Sequence, residues 1–153
     1  MSESEWPMMR RAGELLSEVA HVVHEHVVSG VSSLEIDQVA EEEILRRGCR
    51  PAFKGYVVDG RTYHHTVCIS VNEQVVHGIP NERKFEIDDV VSVDLGLSWG
   101  GYFADRAFTV VLGVQRPSWL LKSMTETAWS AGFDMARPGN RVGDIGAAIQ
   151  KVV

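Results

Sequence analysis

The stretch VSVDLGLSWGGYFADRAFTV, residues 91–110, constrains this chain more than any other segment. Two runs rich in β-branched and aromatic residues flank Gly100-Gly101, the composition of a two-residue hairpin turn. With those glycines at the turn, Trp99 faces Tyr102 and Asp94 faces Ala107, and Asp105 stands two residues from Ala107 on the same strand. The period of two then puts Asp94 and Asp105 on one face as diagonal neighbours, with Cα atoms about 7–8 Å apart. A charge in such a strand is costly unless something pairs with it. Each aspartate either meets an arginine, with Arg61, Arg83 and Arg106 available, or caps a turn, or else the two converge and require a proton or a cation between them. Paired carboxylates suit hard or intermediate divalent ions, and a shared pair suits two ions about 3.5–4 Å apart.

The segments before the hairpin are helical. From Trp6 to about Val28 the apolar residues Met9, Ala12, Leu15, Leu16, Val19, Val22, Val23 and Val27 recur every three or four positions. His21, His24 and His26 fall in this helix without the spacing that brings two imidazoles to one metal, so they read as a solvated face. A second helix begins at Ser32 or Ser33, with Glu35 completing a capping box and Gly48 as its stop. TVCISVNEQVV reads as a strand and GIPN as a turn.

After the hairpin, Pro117-Ser118 opens a third helix that closes near RPGN. A fourth carries Val142, Ile145, Ile149 and Val152 on one stripe. The order helix, helix, strands, helix, helix reads as one complete unit of a repeat and the helical half of a second.

The 153 residues suit one α+β domain. The net charge of −6 argues against a nucleic-acid or anionic-membrane partner. No apolar run approaches the roughly 18 residues of a membrane span, and two cysteines make no disulfide framework. These features, with no signal sequence at MSESEWPMMRR, predict a cytoplasmic protein.

His77, in VNEQVVHGIP, is placed by this pattern at a strand end, where sites are commonly built. VNEQVVHGIP and the spacing of Asp94 from Asp105, together with PAFKGY, DDVVSVDLG and PGNRVGDIGAAIQKVV, resemble the type I methionine aminopeptidases. The resemblance runs through essentially the whole chain and matches the N-terminal portion of such an enzyme. It implies a pita-bread fold, truncated here to the first αα-β half plus the helices of the second half, in a single, C-terminally incomplete catalytic domain spanning residues 1–153.

It also implies a function: metal-dependent removal of the N-terminal methionine from nascent polypeptides. Two divalent ions (Co, Mn, Fe or Zn) would be bridged by residues resembling Asp94 and Asp105. His77 resembles the histidine that contacts substrate and stabilises the tetrahedral intermediate. Tyr56, Tyr63 and Cys68, with Phe53 close by, resemble the positions that form the methionine pocket.

The family is monomeric and draws one further histidine and two glutamates to its metals from a second half, so a homodimer of this shorter form is an alternative, as is a non-catalytic binding module. The stretch VVDGRTYHHTV between Tyr56 and Cys68 is longer than the family's usual loop and lacks its proline. His64 and His65 in it read as exposed loop residues, and Asp88-Asp89 as the solvating residues of a turn.

Overall fold

The computed structural model describes residues 2–114 and 116–153. They form two compact units, which divide between Gly113 and Val114.

The first unit opens with helix α1 (Trp6–His26), followed by α2 (Ser33–Arg46). Proline in the first turn suits α1, because a helix start has no use for that residue's missing N–H. Ser32 caps α2: its side chain accepts from Glu35 N, and the Glu35 carboxylate accepts from Ser32 N in return. Gly48, at φ +69°, lies just past the end of α2 in the left-handed conformation that ends many helices.

Six strands follow: β1 (Arg50–Pro51), β2 (Val57–Val58), β3 (Arg61–Thr62), β4 (Val67–Val71), β5 (Val90–Trp99) and β6 (Tyr102–Val111). β5 is central. One edge pairs antiparallel with β4 over Val91–Leu95 and with β1 at Leu97 and Ser98, and the other edge pairs with β6. The β5–β6 register runs without a bulge from Val90↔Val111 to Trp99↔Tyr102 and includes Asp94↔Ala107. β2 and β3 make a separate hairpin.

Alternation sorts the sheet into two faces. Val91, Val93, Leu95 and Leu97 of β5 and Val67 and Ile69 of β4 are buried in one cluster with Leu16, Val19 and Val23 of α1 and Ile36, Ala40 and Ile44 of α2. The opposite face presents Cys68 and Ser70, then Ser92, Asp94, Gly96 and Ser98, then Phe103, Asp105, Ala107 and Thr109. One face builds the core, and the other carries small and polar groups.

Three local expectations need correction. β4 stops at Val71, because Asn72 enters the left-handed region at φ +57° and the chain turns; Val75 and Val76, β-branched as they are, lie exposed in the loop beyond. Asp89 does more than solvate a turn. It is buried, with Arg83 donating through both guanidinium nitrogens at 2.9 and 3.1 Å, Asn72 Nδ2 at 2.7 Å and Glu86 N at 2.8 Å. His65 is half-buried, its Nδ1 lying 3.1 Å from Asp37 Oδ2.

The second unit contains α3 (Arg116–Met135) and α4 (Val142–Gln150) packed on each other. Gly132 makes the contact close, since a Cβ there would lie 2.8 Å from the Ile149 side chain. Trp129 and Phe133 stack on α3 with centroids 5.2 Å apart, both exposed.

Candidate metal and peptide site

The site is built on the polar face of the sheet. Asp94 faces Cys68 on β4 and Ala107 on β6, and Asp105 faces Gly96, so the two aspartates stand diagonally across one hairpin. Asp94 is half-buried and Asp105 exposed. Burial and then the neighbouring Asp105 charge push the Asp94 carboxyl above its usual range, and His77 pulls the other way.

Among the described residues no arginine answers either charge. Arg106 donates to Ser17 Oγ at 2.9 Å, Arg83 serves Asp89, and Arg61 has no ion pair among the described residues. The ordinary account of the two carboxylates, pairing with a cationic side chain, therefore does not hold here.

The residues expected around the aspartates come together in part. Tyr63 Oη donates to Val67 O at 2.7 Å, and the ring sits beside Cys68, whose thiol is pushed up chiefly by burial. The Tyr63 phenol is pushed up as well, first by burial and then by its hydrogen bond with Cys68 and the charges of Asp37 and Asp94. Phe53 lies over Gly96, because a Cβ on that glycine would be 2.9 Å from Phe53 Cε1. Tyr56 joins through the backbone only: Tyr63 N donates to Tyr56 O at 2.8 Å, and Tyr56 as a residue is 67% exposed.

His77 is positioned by its neighbour rather than by a strand end. Gly78 lies flat on β4, accepting from Ile69 N at 2.9 Å and donating to Ser70 Oγ at 3.1 Å. A Cβ there would meet Ile69 O at 2.1 Å, so only glycine fits. Anchored in this way, the chain holds His77 at φ +56°, exposed and within electrostatic reach of Asp94.

One supporting residue escaped the sequence reading. Asp37, buried on α2, accepts from Thr66 N at 2.7 Å and Val67 N at 3.0 Å and holds His65. It fixes the entry into β4, and with it Cys68. The only sequence signal was an aspartate on the apolar side of a helix, next to Ile36 and Ala40. By contrast His21, His24 and His26 are exposed on α1, as expected of a solvated face.

Asp94 and Asp105 fit a shared metal site as oxygen donors, being diagonal neighbours on one face and, among the described residues, without a cationic partner. They do not complete one. Among the described residues no group of three or more His, Cys, Asp or Glu could hold an ion.

An antiparallel sheet with two helices on one face and an aspartate pair on the other is an arrangement suited to a metal-dependent hydrolase. The sequence pattern of metallopeptidase family M24 matches residues 7–153, and the chain belongs to that family. It is 40% identical over 156 residues to the methionine aminopeptidase of Aquifex aeolicus, covering 98% of this chain and 60% of that protein. With methionine aminopeptidase 1 of Bacillus subtilis the identity is 36%, over 95% of this chain and 58% of the relative.

Among solved structures, the methionine aminopeptidase of Thermotoga maritima superposes with a TM-score of 0.92 at 32% identity, covering 100% of this chain and 61% of that one. That of Rickettsia prowazekii gives 0.93 at 29% identity, covering 99% and 60%. The prolidase of Pyrococcus furiosus shares the fold, with a TM-score of 0.85 at 19% identity. The fold is thus the pita-bread fold, and the chain spans about 60% of the length of the relatives it matches. No helix among the described residues is long and apolar enough to cross a membrane.

Proposed function

We propose that this chain carries the first two metal-binding carboxylates and the methionine pocket of an enzyme that removes the N-terminal methionine from nascent polypeptides in the cytoplasm. The observation that carries this reading is the Asp94–Asp105 pair, two same-face carboxylates with no cationic partner among the described residues. Its support from outside the chain is the name methionine aminopeptidase on relatives up to 40% identical.

In this reading Asp94 and Asp105 hold a pair of divalent ions, drawn from Co²⁺, Mn²⁺, Fe²⁺ or Zn²⁺. Bound there, such ions lower the pKa of a water and polarise the scissile carbonyl. Asp94 is the more demanding ligand, because burial disfavours its charge until a cation answers it. Cys68, Tyr63 and Phe53 orient the methionine side chain, an unbranched thioether that packs well against polarisable and aromatic neighbours. Tyr56 holds Tyr63 in place through its backbone carbonyl at the outer rim. His77 donates a hydrogen bond to the substrate carbonyl region and stabilises the charge that develops there.

The test is calorimetric titration of the purified chain with each of the four ions. Binding that Asp105→Ala abolishes is expected, and a folded chain that binds none of them overturns the reading. Release of methionine from a Met-Ala-Ser peptide needs donors beyond these two aspartates.

A second reading is favoured by one observation: β6 is ten residues long and, among the described residues, pairs with β5 alone, which leaves its outer edge without a strand partner there. A homodimer joined along that edge would act as a binding module or bring two aspartate pairs together. Sedimentation distinguishes the readings, with a metal-insensitive dimer supporting the second and a monomer removing it.

A further inference from the structure

The hairpin of β2 and β3 continues the wall of the candidate pocket outward. Its register pairs Val57 with Thr62 and Val58 with Arg61, and the hydrogen bond from Tyr63 N to Tyr56 O extends the same ladder by one rung. Alternation then places Tyr56, Tyr63, Val58 and Arg61 on one face of the ribbon. Asp59 and Gly60 form the tip at φ +49° and +75°, the doubly left-handed turn whose twist matches a tight hairpin.

The root is held firmly. Gly55 N donates to Tyr63 O at 2.8 Å, Tyr63 Oη to Val67 O, and the next-but-one residue, His65, reaches the buried Asp37. The face beyond the tyrosines is open. Val58 is 56% exposed, and Arg61 is exposed without an ion pair among the described residues.

We infer that Val58 and Arg61 form the next peptide subsite outward from the methionine pocket, and that Arg61 selects substrates with an acidic third residue. The inference rests on the methionine-pocket reading above and adds a specificity that reading does not contain. Strand residues advance about 3.3 Å each, so the Val58–Arg61 rung lies about 6.6 Å beyond the Tyr56–Tyr63 rung. An extended peptide covers that distance in two residues. With methionine at Tyr63 and the peptide running along the ribbon, the third side chain comes level with Arg61. The free amine lies toward the two aspartates and the acidic side chain toward the arginine, so charges are complementary at both ends.

The test uses the full, metal-free chain, where no cleavage competes, and follows amide resonances of Cys68 and Val58 by NMR. The probes are Met-Ala-Glu-amide, Met-Ala-Lys-amide and Met-Glu-Ala-amide. The expected result is that all three shift Cys68 and that Met-Ala-Glu-amide binds about twofold to fivefold more tightly than the lysine peptide, the range of an exposed ion pair. The preference should vanish in Arg61→Gln, persist in Arg61→Lys, and be absent when Glu is moved to the second position. Equal or reversed affinities in the native chain, with Cys68 still responding, overturn the arginine subsite and leave the methionine pocket standing. No response at Cys68 from any peptide removes both.

Discussion

Asp94 and Asp105 stand diagonally across the β5–β6 hairpin, with Gly96 facing Asp105 and, among the described residues, no cationic side chain pairing with either carboxylate. The arrangement costs stability in the metal-free chain, since burial and mutual repulsion both disfavour the charge on Asp94.

Asp94→Asn is therefore expected to raise the melting temperature of the metal-free chain while abolishing the rise that a divalent ion gives the native one. Ligand binding to the folded state adds RT ln(1 + [L]/Kd), about 2.7 kcal/mol at a hundredfold excess over Kd. Scanning calorimetry with and without Mn²⁺ reads both effects. A variant that melts lower without metal, or still gains from it, contradicts the assignment.

Gly78→Ala tests the anchor beneath His77. The new Cβ would meet the Ile69 carbonyl oxygen at 2.1 Å, a backbone atom that cannot swing aside. The loop must lift from β4, breaking its bonds to Ile69 and Ser70 at a cost of about 3 kcal/mol. Urea unfolding measures that loss. A matching loss in His77→Gly would show that the imidazole, rather than the glycine, holds the loop.

Asp89 sets an acid limit. Burial raises its pKa, but the Arg83 guanidinium, the Glu86 N–H and the Asn72 amide outweigh burial and hold it at about 2. Because the folded value lies below the unfolded one, its contribution of about 2 kcal/mol is complete above about pH 4. It is lost as the pH falls from there towards 2. Urea midpoints measured from pH 6 to pH 2 should fall less steeply in Asp89→Asn than in the native chain.

Asp37→Ala and His65→Ala separate the two halves of the clamp on β4. Losing the carboxylate strands two buried N–H groups, those of Thr66 and Val67, and should cost about 3 kcal/mol. Losing the imidazole removes one half-buried contact, worth about 1 kcal/mol. Equal losses would mean that the imidazole, not the backbone, is what Asp37 serves.

What the sequence disclosed was governed by local chemistry. Gly100-Gly101 fixes the hairpin register, and a fixed register puts Asp94 and Asp105 on one face without knowledge of anything else. Ser32 and Glu35, three residues apart, announce the start of α2 by themselves. The misread residues depend on distant partners. Asp89 gains its role from Arg83 and Asn72, brought together by the fold, and His65 from an aspartate 28 positions earlier. Val75 and Val76 look like a strand, but the left-handed turn at Asn72 settles the path before their propensity counts. Arg61 could be placed only once the Tyr56–Tyr63 rung was known.

The left-handed backbone at His77 narrows what this position could become over evolutionary time. Asparagine, aspartate and glycine adopt that conformation readily, whereas valine, isoleucine and threonine resist it. Drift away from histidine would then run through asparagine or glycine, leaving the loop in place after its imidazole has gone. A descendant of this chain could keep the outline of the site long after losing its chemistry, and its backbone alone would not reveal the change.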